Sequence, residues 1–150
     1  MKYFEDVEVG EVTRFGRYEV TREEIVEYAR QFDPQPFHLD EEAARVSMFG
    51  GLIASGWHTG AMMMRMVADH MVPENATSGS LGFDDLKWLK PVRPGDVLSV
   101  ESVVLEKTES RRRADRGTVK VESRVSNQRG EVVMSLVSLV IYMRKSAGGR

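Results

Sequence analysis

The chain has 150 residues, of which 41% are hydrophobic and 29% charged, with a net charge of −2 at pH 7. These values are typical of one globular domain, here residues 1–150, and exclude a strong overall attraction to nucleic acid or to a membrane. Because cysteine is absent, disulfides, thiolate metal sites and cysteine nucleophiles are excluded as well. The N-terminus has no apolar stretch of signal-peptide type, and the apolar runs are too short to span a bilayer, so we expect a cytoplasmic protein.

The first part of the chain predicts a strand and then a helix. Residues 3–20 carry apolar positions punctuated by glycines, which is typical of an entry segment and first strand. Thr21 and Glu24 form a capping box, so a helix should begin there. This helix should end before Pro34, because the residue preceding a proline is displaced from the helical region. Asp33 is therefore expected at the helix exit.

A loop stiffened by two prolines, residues 33–38, leads into a second helical region. Asp40 is placed to cap a short helix over residues 41–46. A long helix is predicted over residues 56–72, with Ser55 as its capping residue. This helix is apolar around most of its circumference, so we expect it to be buried.

The second half of the chain changes to an apolar period of two, which predicts strands. A loop is expected over residues 73–80. The extended segments that follow are predicted at residues 86–88, 98–106, 118–126 and 131–142. Helices followed by long antiparallel strands predict an α+β domain, with a curved antiparallel sheet wrapped around the long helix. Residues 144–150 are expected to form a flexible tail.

Three segments of the chain resemble one protein family. The segment DPQPFHLD at residues 33–40, followed by Phe49 and by IASG at residues 53–56, resembles the MaoC-like dehydratases, or R-specific enoyl-CoA hydratases. The segment LKPVRPGD at residues 89–96 is similar to a strand-and-turn element of the same family. The resemblance implies a single hotdog domain, which is a sheet wrapped around a central helix. It also implies a homodimer or higher homo-oligomer, with active sites near the subunit interface.

The resemblance assigns catalytic roles to three residues. Asp33 and His38 match the family's catalytic pair, which holds the water that is added across, or lost from, the C2–C3 double bond of an acyl thioester. Chemically, a carboxylate and an imidazole that share this water can serve as base and acid. Gly56 matches the glycine whose backbone N–H binds the thioester oxygen. A helix N-terminus offers free N–H groups and a favourable dipole to the negative charge that develops there.

The substrate-binding residues expected around this pair belong to the same segments and to the start of the long helix. They are Gln35, Phe37, Phe49, Ile53, Ser55, Trp57 and His58. Two of them depart from the family's pattern, in which Gln35 would be asparagine and Ser55 would be histidine. The first departure should alter hydrogen bonding around Asp33. The second keeps a good capping residue but removes an imidazole, which His58 could partly replace.

Several other features have simpler interpretations. His58 falls on a polar stripe with Arg65 and Asp69, where a surface or dimer contact is favoured over chemistry. The methionines of the long helix are first of all core side chains, and lining of an acyl pocket is the alternative. The arginines at residues 111–113 are most simply a solvated hairpin tip, and a contact with CoA phosphates is the alternative. The three histidines have no metal-ligand spacing, so no metal is expected.

Three functions remain open from the sequence. The first is a hydro-lyase of fatty acid metabolism that acts on an acyl-CoA or acyl-carrier thioester, with CoA as part of the substrate and no separate cofactor. The second is a hotdog acyl-CoA thioesterase, and the third is a non-catalytic acyl-binding module. The pairing of Asp33 with His38 favours the first. Neither nucleic acid nor a membrane is expected as a partner.

Overall fold

The computed structural model describes residues 1–145, and within them one antiparallel sheet of five strands is present. The strands are β1 (Val12–Glu19), β2 (Thr77–Trp88), β3 (Val97–Glu109), β4 (Arg116–Ser126) and β5 (Val132–Met143), in the spatial order β1-β3-β4-β5-β2. The α-helices are α1 (Arg22–Phe32), α2 (Pro36–Leu39), α3 (Glu41–Arg45) and α4 (Gly56–His70). Short 3₁₀ turns lie at Phe4–Asp6 and Val72–Glu74. Residues 146–150, most of the expected tail, lie outside the described residues.

The core lies between the sheet and one face of α4. The buried side chains of this helix are His58, Thr59, Met62, Met63 and Met66. Its buried methionines form one cluster with apolar residues of the strands, among them Leu98, Val125 and Met134. Burying each side chain of this size stabilises the fold by about 1.5–3 kcal/mol. A sheet around a central helix is the hotdog arrangement, so the predicted α+β fold is confirmed.

The helix α4 is less buried than its composition predicts. Trp57 and Met64 are 63% and 49% exposed, because the sheet covers only one face of the helix. Ala61 and Ala68 are exposed as well, and so are the charged residues Arg65 and Asp69. No helix within residues 1–145 is both long and apolar enough to cross a membrane.

Two of the three predicted helix caps are confirmed. The Thr21 hydroxyl accepts a hydrogen bond from the Glu24 N–H at 3.2 Å, so α1 begins where predicted. The other half of the predicted capping box is wrong, because the Glu24 carboxylate accepts from Tyr18 and His58 instead. The Asp40 carboxylate accepts from the Glu42 N–H at 2.8 Å and caps α3. Ser55 is different, because its side chain makes no capping hydrogen bond to α4. The prediction that Ser55 caps this helix through its hydroxyl is wrong.

Three predicted boundaries also differ from the structure. Strand β2 begins at Thr77, inside the segment 73–80 that was expected to be a loop, since the serines and glycines there pair with β5 through bulges. Pro36–Leu39 form a turn of helix, because a proline is favourable at the first helical position. The start of the chain forms a 3₁₀ turn that buries Phe4.

Candidate active site

Three segments meet at the N-terminal end of α4. Asp33 is the residue that ends α1, and its N–H still donates to the Ala29 carbonyl at 2.9 Å. His38 lies in the short helix α2. The extended segment before α4 is hydrogen-bonded on both sides. The Ile53 N–H donates to the Phe37 carbonyl at 3.3 Å, and the Ala54 N–H donates to the Val92 carbonyl at 2.8 Å. The chain therefore brings residues 33, 38 and 56 together through short connections.

Asp33 and His38 form an acid–imidazole pair. The distance from Asp33 Oδ2 to His38 Nε2 is 3.4 Å. His38 Nδ1 lies 2.7 Å from the carbonyl oxygen of Ile53. Because a carbonyl can only accept, we assign the proton to Nδ1, which leaves Nε2 facing the carboxylate. The pair is too far apart for a strong direct hydrogen bond, and a water bound to both groups would bridge it.

The Asp33 carboxylate is held by two further hydrogen bonds. The Ser55 hydroxyl donates to Oδ2 at 2.7 Å, and the Gln35 amide donates to Oδ1 at 2.6 Å. Burial raises the pKa of Asp33, but these two hydrogen bonds act in the opposite direction, and its pKa lies below the ordinary value. Gln35 and Ser55, the two departures from the family pattern, therefore both bind the catalytic candidate Asp33.

The backbone at the start of α4 offers free donors. The His58 and Thr59 N–H groups both donate to the Ser55 carbonyl at 3.0 Å. No acceptor within residues 1–145 binds the Gly56 N–H, which occupies the first helical position. This N–H and the helix dipole together favour an oxygen that carries negative charge.

A cleft of about 460 Å³ surrounds these groups. The predicted site residues that line it are Asp33, Gln35, Phe37, His38, Phe49, Ile53, Ser55, Gly56 and Trp57. Aromatic rings pack in pairs along the cleft: Phe37 lies 5.1 Å from Phe49, and Trp57 lies 5.2 Å from Trp88 in an edge-on arrangement. The walls are thus apolar, and the polar groups converge near Asp33.

The cleft also contains residues that sequence reasoning did not single out. Thr59, Trp88, Leu89 and Lys90 line it. The segment at residues 89–96 carried part of the family resemblance. This resemblance was the signal that could have indicated a place in the cleft for Leu89 and Lys90, and for the adjacent Trp88. What the sequence could not convey is that β2 ends against the first turn of α4.

His58 does not line this cleft. It is 2% exposed, its Nε2 lies 3.0 Å from Glu24 Oε1, and its ring stacks on Tyr28 at 4.6 Å with an interplanar angle of 7°. The predicted surface position is wrong, because α1 packs against this side of α4. The geometry also does not place this imidazole where it could replace the one missing at Ser55.

His58 belongs instead to a second cavity of about 300 Å³ between α1 and α4. Tyr18 and His58 both donate hydrogen bonds to the Glu24 carboxylate. Burial raises the pKa of Glu24, yet these two hydrogen bonds outweigh it and leave that pKa below the ordinary value. Within residues 1–145, no group of three or more His, Asp or Glu side chains is arranged to hold a metal ion.

Comparison with protein families and curated proteins gives two results. The sequence profile of the family described as the MaoC like domain matches residues 6–127. The chain is 34% identical over 113 residues to the 3-hydroxybutyryl-CoA dehydratase of Methylorubrum extorquens, an alignment that covers 75% of this chain and 69% of that protein.

Two solved structures are also similar. The crystal structure of the MaoC-like dehydratase from Rhodospirillum rubrum matches with a TM-score of 0.90 and 46% identity, covering 96% of this chain and 98% of that one. The unliganded R-hydratase from Pseudomonas aeruginosa matches with a TM-score of 0.74 and 28% identity, covering 96% of this chain and 86% of that one. Both alignments cover 96% of this chain, so they include the residues of the sheet and of the central helix.

Proposed function

This chain belongs to the MaoC-like family, and on that premise we propose that it is a hydro-lyase acting on fatty acyl thioesters. The reaction is the reversible addition of water to a trans-2-enoyl-CoA, or to the matching carrier-protein thioester, to give the 3-hydroxyacyl form. The observation that carries the proposal is the 3.4 Å pairing of Asp33 with His38 in a cleft that also contains the Gly56 N–H. The dehydratase and the R-hydratase to which the chain is similar support the same class of reaction.

The pair would orient the attacking water. With Asp33 ionised and His38 protonated on Nδ1, both Oδ2 and Nε2 are hydrogen-bond acceptors. A water between them donates both of its hydrogens and directs a lone pair at C3 of the substrate. One member of the pair takes a proton as the C3–O bond forms. The same proton is then returned to C2, so the atoms of water are added across the double bond.

The start of α4 would stabilise the enolate formed between these two steps. Attack at C3 moves negative charge onto the thioester oxygen. The Gly56 N–H is free and lies at the positive end of the helix dipole, so it is a suitable donor to that oxygen. The apolar cleft walls, including Phe37, Phe49 and Ile53, would exclude bulk water and contact the acyl chain.

We also propose that the enzyme is a homodimer or a larger homo-oligomer. Within the described part of the chain, β2 pairs only with β5, so its other edge has free backbone groups. Leu81 and Phe83 on this strand are 65% and 57% exposed. An unpaired edge beside exposed apolar side chains is a surface that a second copy would cover. Size-exclusion chromatography with light scattering tests this, and a monomer at micromolar concentration would contradict it.

The function is tested with crotonyl-CoA and longer enoyl-CoAs, following enoyl absorbance and free thiol in the same sample. Loss of enoyl absorbance without thiol release supports the hydro-lyase. Thiol release would instead indicate a thioesterase, in which water attacks the thioester carbonyl. Neither signal, across straight and branched acyl groups, would leave a non-catalytic acyl-binding module.

Variants of the pair test the assigned roles. Asp33→Asn and His38→Ala should each lower kcat by about 100-fold or more, since acid–base groups contribute about 10²–10⁴. Asp40→Asn is the matched control, because Asp40 caps α3, does not line the cleft, and asparagine caps a helix equally well. Near-normal activity in Asp33→Asn or His38→Ala would refute the roles, provided that the control variant is active.

A further inference from the structure

The glycine at position 56 is not required by the backbone. It occupies the first position of α4, and its φ is not positive, so any L-residue could adopt this conformation. However, a Cβ built on Gly56 would lie 2.5 Å from Cε2 and 2.7 Å from Nε1 of Trp88. Such distances are far below van der Waals contact. Glycine is therefore required at position 56 because the indole of Trp88 fills the space that a side chain would occupy.

Trp88 contacts this glycine in a second way. Its indole N–H donates to the Gly56 carbonyl oxygen at 2.9 Å. The ring packs against the Cα while the N–H binds the carbonyl, so the first residue of α4 is held from two directions. Trp57 meets the ring of Trp88 edge-on, with 5.2 Å between centroids.

The contacts between Trp88 and Gly56 matter because the start of α4 lacks the usual side-chain cap. Helix ends fray unless a side chain binds the first N–H groups. The residue placed to do so, Ser55, instead donates its hydroxyl to Asp33 at 2.7 Å. The helix start thus has no side-chain cap, and its first residue receives a side-chain hydrogen bond from Trp88 instead.

We propose that Trp88 is a positioning residue, which holds the Gly56 N–H where the thioester oxygen must bind. This inference rests on the proposed function, since it assigns a purpose to a donor of that same site. Trp88 itself need not touch the reacting atoms. It acts through Gly56, and the contact also explains why this position holds glycine.

Two substitutions separate the roles of the ring and the N–H. Trp88→Phe keeps an aromatic ring but loses the hydrogen bond, and kcat should fall about tenfold. Trp88→Leu loses both contacts, and kcat should fall about 100-fold, the cost of misplacing a reacting group by about 1 Å. KM should change less than about threefold, because the proposed acyl contacts Phe37, Phe49 and Ile53 are unchanged. Lys87→Ala, an exposed neighbour on β2 that does not line the cleft, is the control and should keep normal kcat.

A double-mutant cycle tests the contact directly. Gly56→Ala in the otherwise unchanged chain should lower kcat about 100-fold, because the new methyl group and the indole cannot occupy the same space. In a Trp88→Ala background the same substitution should cost less than about threefold. If Gly56→Ala lowers kcat by the same factor in both backgrounds, the new methyl group obstructs the substrate and not the indole of Trp88. That result overturns the proposal. Thermal melts of each variant verify folding.

Failure of the proposed function can be told apart from failure of this inference. If the unchanged protein hydrates no enoyl-CoA, the proposed function fails, but fraying at the start of α4 can still be measured. The hydrogen-exchange rates of the His58 and Thr59 N–H groups, which bind the Ser55 carbonyl in the first turn, should rise at least about tenfold in Trp88→Leu and stay unchanged in Lys87→Ala. Equal exchange in Trp88→Leu and the unchanged protein would overturn the positioning role whether or not the enzyme is active.

Discussion

Replacing Ser55 with alanine tests what sets the ionisation of Asp33. The Ser55 side chain is 0% exposed, and its hydroxyl donates to Asp33 Oδ2 at 2.7 Å. A hydrogen bond to a charged group contributes about 1.5–3 kcal/mol. Because the Asp33 side chain is still 20% exposed, we take about 2 kcal/mol. In a domain of this length, that corresponds to a fall in Tm of about 4–8 °C at neutral pH.

The sign of the pH effect follows from the direction of the pKa shift. The pKa of Asp33 is below its ordinary value, so its stabilising contribution is present above the unfolded pKa and is lost as pH falls through the folded pKa. Ser55→Ala removes one cause of the lowering, so the pKa of Asp33 rises. The acid limb of kcat/KM should therefore move to higher pH, and the loss of Tm should shrink as the carboxylate becomes protonated.

The assay is a pH profile of enoyl-CoA hydration together with thermal melts at each pH. Ser102→Ala is the matched control, because its buried hydroxyl bonds the neutral Ser123 hydroxyl at 2.9 Å. This variant should lose about 1 kcal/mol and leave the acid limb in place. If Ser55→Ala lowers Tm but does not move the acid limb, Ser55 is structural only and the electrostatic reasoning fails.

Two further predictions concern residues away from the cleft. Hydrogen bonds, the largest from Lys90, lower the pKa of Glu131 to about 2, so the stabilisation by Glu131 should be present above about pH 4.3 and vanish as pH falls toward 2. Melting temperatures of the unchanged protein and Glu131→Gln should converge over that range, and a constant difference would contradict the assignment. His58→Phe keeps the stacked ring outside the cleft, so turnover should stay within about threefold. A loss as large as that of His38→Ala would mean that His58 reaches the substrate.

The sequence predicted which residues line the candidate cleft better than it predicted their contacts. Asp33 and His38 lie on one short segment stiffened by prolines, so local spacing alone was enough to bring them together. The role of Ser55 could not be predicted from local sequence, because its hydroxyl binds a carboxylate 22 residues away in sequence and not the N–H groups of the adjacent helix start. Side-chain propensity favours the cap, whereas the tertiary structure offers the charged acceptor.

The same limit applies to residues that depend on packing between distant elements. His58 falls on a polar stripe of α4 when the helix is considered alone, but α1 covers that side and supplies Glu24 as its partner. Strand β2 was predicted to start too late, because small polar residues are typical of loops and only pairing with β5 extends them. The period of two placed Trp88 in a strand but indicated no role for it, since its contact with Gly56 is 32 residues away in sequence.

The placement of the tryptophans has a spectroscopic consequence. The chain has two tryptophans, Trp57 and Trp88, and both line the cleft. Its intrinsic tryptophan fluorescence therefore comes entirely from the mouth of the candidate site. Saturated acyl-CoAs, which cannot be hydrated, could be titrated against the unlabelled protein while the emission is followed. The preferred acyl length would then be measured by binding alone, independently of any turnover.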